Sequence, residues 1–207
     1  MNIVYSFSII IGSFSLSTIT SYFICYFNSY PFINPMYNYN KRIDRIKDFV
    51  ENSPLLIAQA TGFIYIMSDN IIPYGQHTWL ESYVTMLLYC ICIEALYYMY
   101  HRFIHKYYYI TVHKKHHQNV IVYPLDTFYL TEIDDFASIL SIGLPLIFIK
   151  VSVVEQFIIT YMYITTSYLS HSELYWKHHS IHHKLLKYNY CILFPIFDIL
   201  FGTYKIE

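Results

Sequence analysis

The sequence predicts an all-α integral membrane protein: four transmembrane helices as two hairpins, with a cytosolic histidine-rich helical cap. Three observations carry this expectation. Of 207 residues, 56% are hydrophobic and 13% charged, against about 25% charged in an average soluble domain. Apolar runs of bilayer-crossing length recur along the chain. Ten of the eleven histidines fall between His101 and His183, beside the ends of those runs. The formal net charge of −1 offers no basic surface, so nucleic acid is excluded as a partner and the lipid bilayer is expected instead. The length suits a single domain over 1-207, with an N-terminal anchor and first hairpin in 1-100 and the histidine clusters with the second hairpin in 101-207.

No charged side chain precedes Lys41. Ile3 to Phe27 covers the roughly 20 residues that a crossing helix needs. With no basic leader and no small-residue cleavage site after it, this run is expected to remain as an uncleaved anchor. Pro31 and Pro35 break it, and Lys41, Arg42, Arg45 and Lys47 then mark a mixed-charge segment expected to be helical and solvated. A second apolar stretch begins at Pro54 and extends through Ile72, with Asp69 near the interface. A turn-rich link from Asp69 to Thr78 follows, in which His77 is expected to be solvated. Trp79 to Met99 is the third apolar run. From Gln118 to Asp135 the chain is polar and irregular, and Asp126, Glu132, Asp134 and Asp135 read as a wetted face. Phe136 to Ser170, interrupted at Pro145 and Lys150, is flanked by histidine clusters at both ends. If those clusters form one site, the chain leaves and returns on the same side, in two passes that are short at about 1.5 Å per residue. Cys25, Cys90, Cys92 and Cys191 show no metal or disulfide spacing and read as small core hydrophobes.

Charge placement supports this path. With 28–53, 101–135 and 171–207 on the inner side, twelve of the thirteen basic residues lie inside, Lys150 excepted. That is the asymmetry expected of a cytosolic face.

The histidines form His101-Arg-Phe-Ile-His105, His113-Lys-Lys-His116-His117 and His179-Ser-Ile-His182-His183. Positions i, i+3 and i+4 share one face of a helix, so each helical cluster is expected to aim its imidazoles in one direction. Imidazole is the commonest protein metal ligand, and so many converging rings point to a multinuclear metal site. His178 lies i, i+4 from His182 and competes with His179 for the register. Glu94 sits two turns before His101 on the same face of an uncharged run, where an acid is expensive and tends to be functional. It is expected to accept from a ligand imidazole and fix its tautomer. Paired adjacent histidines fit haem ligation badly, and a metal transporter would carry its ionisable groups along the spans instead.

Taken together, HRFIH, HKKHH and HSIHH resemble the three histidine boxes of the fatty acid hydroxylase and sterol desaturase superfamily. The resemblance runs from about Glu94 to Tyr204. It includes Tyr97 and Tyr98 before the first box, Tyr188-Asn189-Tyr190 after the third, and the closing run from Phe197 to Tyr204. Glu94 stands where the family usually has Asp, Cys191 where it has Gly, and Thr131 where some relatives have a further histidine.

The resemblance implies a membrane-bound non-haem di-iron oxygenase that hydroxylates or desaturates a lipid C–H bond with O2. It implies that His101, His105, His113, His116, His117, His179, His182 and His183 are the catalytic, metal-ligating set, with His171 as a further ligand. Glu94, Asn189 and Asp198 would support that set, Asp198 by orienting the closing segment. The cofactor implied is two Fe ions, with Zn as another occupant of the same ligands. Attack on an unactivated C–H bond needs such a redox metal, because no side chain supplies the oxidant. With neither a dinucleotide fingerprint nor a haem-attachment motif in the chain, electrons are expected from NAD(P)H through a cytochrome b5-type donor. The third box with Tyr188-Asn189-Tyr190 resembles C-5 sterol desaturases, and His178-His179 resembles sterol C-4 methyl oxidases. The implied substrate is therefore a membrane lipid, a sterol ahead of an acyl or sphingoid lipid, handled in the endoplasmic reticulum. The alternative is a catalytically silent relative that keeps metal for a structural or partner-binding role.

Overall fold

The uncharged N-terminal run forms α1 (Ile3–Phe27), started by Asn2, whose side chain accepts the Tyr5 amide. The computed structural model describes residues 2–175 and 177–206 and is mostly helical. The packing of α1 reverses that of a water-soluble helix. Ser6, Ser13, Ser17 and Ser21 are buried, whereas Phe7, Leu16, Ile19, Phe23 and Phe27 face outward. Small residues let helix backbones approach where lipid surrounds them. Ser17 Oγ donates to Tyr161 O at 3.0 Å, and a Cβ on Gly12 would stand 3.3 Å from the Phe157 ring. Both partners lie on α5 (Val153–Ser170).

The mixed-charge segment and the second apolar stretch are one helix, α2 (Tyr39–Ile66), which continues through Pro54. Arg45 corrects the expectation of a fully solvated segment. It is buried, 3.7 Å from Asp126, donates to Gln118 at 2.7 Å and lies over the Tyr129 ring. The following link contains β1 (Ile71–Ile72), paired in parallel with β2 (Val151–Ser152). His77 in that link is not simply solvated: its Nδ1 is 3.0 Å from Glu155 in the first turn of α5.

A capping box of Thr78 and Glu81 starts α3 (Trp79–Tyr107). This helix turns Leu80, Val84, Leu87 and Leu88 outward and Tyr89, Ile93, Glu94, Tyr97 and His101 inward. Thr131 caps α4 (Glu132–Gly143), and a 3₁₀ turn over Leu144–Ile147 leads toward β2. The chain closes with α6 (His178–Leu185) and α7 (Ile196–Leu200). Tyr89, Ile93, Leu146, Val151, Ile159 and Tyr163 fill the centre of the core. Around it the β1–β2 links gather at one end and the histidines at the other.

Asn2 and Tyr5 stand beside Ile71 and Tyr74 at the link end. α1 packs against α2 and α5, beside the α2–α3 and α4–α5 pairs that follow one another in the chain. Among the described residues, α1 and α3 are the two helices long and apolar enough to cross a membrane. α4 has 12 residues and α5 has 18.

Candidate metal centre

Nine histidines converge in two groups. His101, His105, His113, His117 and His182 form one, and His116, His171, His179 and His183 the other. Within each group the potential ligand nitrogens lie within 4.8 Å of one another. This corrects the expectation that each cluster aims one way, since the second and third clusters are each divided between the groups. The cause is helical geometry. In α6, His179 and His183 are i, i+4 and serve one group, while His182, about 100° around the helix from His183, serves the other. The second cluster lies outside any α-helix. Tyr109–His113 is a π turn and His116–Gln118 a 3₁₀ turn, and the His116 and His117 rings stand at 86° to each other. Adjacent histidines are what a single turn needs to feed two centres.

The nitrogen geometry suits a cation. Nε2 atoms of His105, His117 and His182 stand at the corners of a triangle with sides of 3.0, 3.2 and 3.2 Å. In the other group His116 Nε2 is 3.2 Å from Nε2 of both His171 and His183. Hydrogen bonds cannot satisfy three mutually adjacent ring nitrogens, because no N–H can point straight along two sides of a triangle. With a metal–imidazole bond of about 2.1 Å, ligands at right angles lie about 3.0 Å apart and tetrahedral ligands about 3.4 Å apart. The observed distances of 3.0–3.2 Å fall within the range spanned by these two arrangements. Burial pushes the imidazoles of His116, His117, His179, His182 and His183 far below their ordinary range, and the neighbouring rings push the same way. His171 falls to about 4, again mainly through burial. All six are therefore neutral at pH 7, each with a lone pair to offer.

Partners at Nδ1 set the orientation of four rings. His101 donates to Tyr190 O at 2.8 Å, His171 to Ser167 O at 2.8 Å and His182 to Tyr188 O at 2.6 Å, while His113 donates to Asp134 Oδ2 at 2.6 Å. Each contact leaves Nε2 free to face its group. The Nδ1 atoms of His116, His117, His179 and His183 have no hydrogen-bond partner among the described residues, so packing alone holds those rings.

Asp134 is the residue that sequence reasoning missed. It was expected on a wetted face with Asp126 and Asp135, yet all three are buried and only Glu132 of that set is exposed. Asp134 also accepts the Tyr100 hydroxyl at 2.5 Å. Its position, three residues after the helix-capping Thr131 and beside a box-bearing turn, was the available signal. Asp126 accepts from Tyr37, Asn119 and the Tyr123 amide and faces Arg45, which fastens α2 to the turn carrying His116 and His117.

Glu94 is buried as expected, but it acts one step further from the rings than expected. It accepts from Tyr163 Oη at 3.0 Å and from the Ile192 and Leu193 amides at 3.1 and 3.0 Å. It thereby holds the segment whose Tyr190 carbonyl meets His101. Asp198 does orient the closing segment, accepting from the Tyr190 and Cys191 amides and the Thr203 hydroxyl, each at 2.8 Å. Asn189 pairs through both side-chain atoms with the Lys205 backbone and adopts a φ of +59°, a conformation Asn tolerates better than most residues. His178 falls outside both groups. Its Nε2 donates to Ile192 O at 2.9 Å, and His179 takes the register.

Comparison with curated proteins gives no match, and comparison with solved structures gives none. The fatty acid hydroxylase family model matches residues 86–203, from the middle of α3 to the closing segment, and so includes the nine histidines of both groups and the residues that orient them. Over that length, the chain belongs to the fatty acid hydroxylase family.

Proposed function

We propose that the protein is a multi-pass, membrane-bound non-haem di-iron oxygenase that hydroxylates or desaturates a C–H bond of a membrane lipid. The observation that carries this is the triangle of Nε2 atoms from His105, His117 and His182, with His171 and His183 each brought to 3.2 Å from His116 Nε2 in the other group. His101, His105, His113, His117 and His182 would hold one iron, and His116, His171, His179 and His183 the other. Bound iron supplies the redox capacity to activate O2 against an unactivated C–H bond. Imidazole ligands suit iron as well as zinc, and the family resemblance favours iron.

The protein's own contribution is position and exclusion of water. Asp134 and the carbonyls of Ser167, Tyr188 and Tyr190 keep their imidazoles turned inward. Glu94 and Asp198 hold the segment that carries two of those carbonyls. Tyr97, Ile142, Ile164 and Ile192 line a cavity of about 70 Å³ against His116, His171 and His179. Such a wall suits an apolar chain or ring and keeps bulk water from the reacting carbon. On the opposite flank, Arg102, Lys106 and Lys187 border a cleft whose lining includes His105. A positive rim beside a ligand imidazole supports delivery of electrons by an acidic cytochrome b5-type carrier supplied by NAD(P)H. The excess of basic residues at the histidine end supports a cytosolic orientation, and the family resemblance favours the endoplasmic reticulum as the membrane. The third box and its flanks favour sterols over acyl lipids.

The deciding experiment is elemental analysis with Mössbauer spectroscopy on detergent-purified protein, beside a variant with His116→Ala and His117→Ala. About two irons per chain, following the two ligand groups, and their loss in the variant are expected. Failure to bind iron after anaerobic loading would overturn the oxygenase reading, and firmly bound zinc in its place would establish the silent, structural alternative.

A further inference from the structure

The cavity beside the four-histidine group has a neighbour. It shares Phe128, Leu130, Ser138, Ile142 and Ile164 with a second cavity of about 100 Å³ between α1, α2, α4 and α5. One face of α5 runs the length of both, with Gln156, Thr160, Ile164, Ser167 and His171 in steps of three or four residues. Gln156 and His171 are fifteen residues apart on this helix, about 22 Å at the helical rise. Apolar side chains common to both cavities therefore line the way between the histidines and a polar residue near the link end.

That residue is incompletely satisfied. Gln156 is 1% exposed, its Nε2 donates to Thr160 Oγ1 at 3.0 Å, and its Oε1 has no partner among the described residues. A buried amide atom without a partner carries a cost unless something in the cavity supplies one. Turning the amide over would leave the NH2 unpaired instead, so a group that can both donate and accept matches either orientation. A hydroxyl is such a group. An anionic head is a poor match, because neither cavity is lined by Lys or Arg among the described residues, and Asp135, whose Oδ1 also lacks a partner, lines the larger one.

We propose that Gln156 anchors the hydroxyl of a neutral lipid, whose body lies along this face of α5 through both cavities and whose carbons remote from that hydroxyl lie against the four-histidine group. This deepens the oxygenase reading and rests on it for the identity of the reacting end. The anchoring itself requires neither iron nor turnover. Lipids of acyl and of ring type share the required chemistry, and binding tells them apart.

The test is equilibrium binding to the full-length protein in nanodiscs by displacement of a fluorescent sterol. Four probes are compared: cholesterol against cholestane, and hexadecan-1-ol against hexadecane. One buried hydrogen bond corresponds to about a tenfold preference or more. Wild type should prefer the hydroxylated member of at least one pair by that factor, and the pair that does so identifies the lipid type. Gln156→Leu should abolish the preference while leaving binding of the deoxy probe unchanged. Thr160→Val, which removes only the Nε2 contact, should weaken the preference by a smaller factor. Equal binding of both members of each pair to wild type would overturn the anchor whether or not the variants fold, as would a preference that survives Gln156→Leu. Absence of iron in the purified protein would instead count against the oxygenase reading and leave these binding results intact.

Discussion

Replacing Asp134 by Asn should weaken one metal group and spare the other. Asp134 is 1% exposed, and its two oxygens accept from His113 Nδ1 at 2.6 Å and Tyr100 Oη at 2.5 Å. Asparagine is nearly isosteric but uncharged, and can present only one acceptor oxygen. If it keeps His113, its NH2 faces the Tyr100 hydroxyl, which must then turn from donor to acceptor. A hydrogen bond to a charged group contributes about 1.5–3 kcal/mol. Because about 1.4 kcal/mol corresponds to a factor of ten, the affinity of the five-histidine group for iron should fall about 10- to 100-fold, the range found for partners of ligating histidines. The four-histidine group contains no ring that Asp134 touches and should keep its affinity. The assay is retention of iron by loaded protein equilibrated with graded ferrous chelator. Asp134→Asn should release half of its iron at correspondingly lower chelator, with the other half unmoved. Tyr100→Phe should shift the same half by less, since the carboxylate remains. An unchanged release curve would refute the argument, and so would an equal shift of both halves.

Three further outcomes follow from the same geometry. His178→Gln should keep the bound metal, because His178 donates to the Ile192 carbonyl and belongs to neither ligand group, whereas His179→Ala should lose the metal of the four-histidine group; metal-to-protein ratios decide between them. Metal-free protein should lose stability as pH falls below about 6.5, the ordinary pKa of the imidazoles. His116, His179, His182 and His183 are held neutral in the fold and gain protons at that pH only when it opens, so each contributes a slope of up to about 1.4 kcal/mol per pH unit. Thermal midpoints unchanged between pH 8 and 5 would contradict this. Glu94→Gln removes a carboxylate that accepts three donors and should destabilise the protein by about 1–3 kcal/mol, with faster loss of iron from the five-histidine group, read by thermal unfolding and chelator challenge.

The histidine boxes were legible because their spacing is a local property. Separations of three and four residues declare a shared helix face wherever a helix forms, as at His101 and His105 on α3 and at His179 and His183 on α6. The membrane setting was legible for a similar reason: the uncharged run of α1 and the apolar run of α3 are continuous in the chain. Glu94 could be singled out by its cost in such a run. Its partners could not, because Ile192 and Leu193 lie about a hundred residues away and reach it only through the folding-back of the closing segment.

The chain by itself thus determined the ligand type, the number of histidine clusters and the apolar surroundings, all of which follow from residue chemistry and helical period. The tertiary structure decided how the clusters are shared between two groups of imidazoles, that His179 and not His178 joins them, and that Asp134 and Arg45 are buried. It also decided that α1 packs against α5. These outcomes depend on which distant surfaces meet: β1 against β2, α1 against α5, and the segment after α6 against α3. Spacing along one helix sets a direction for each imidazole, but only packing between helices sets what that direction points at.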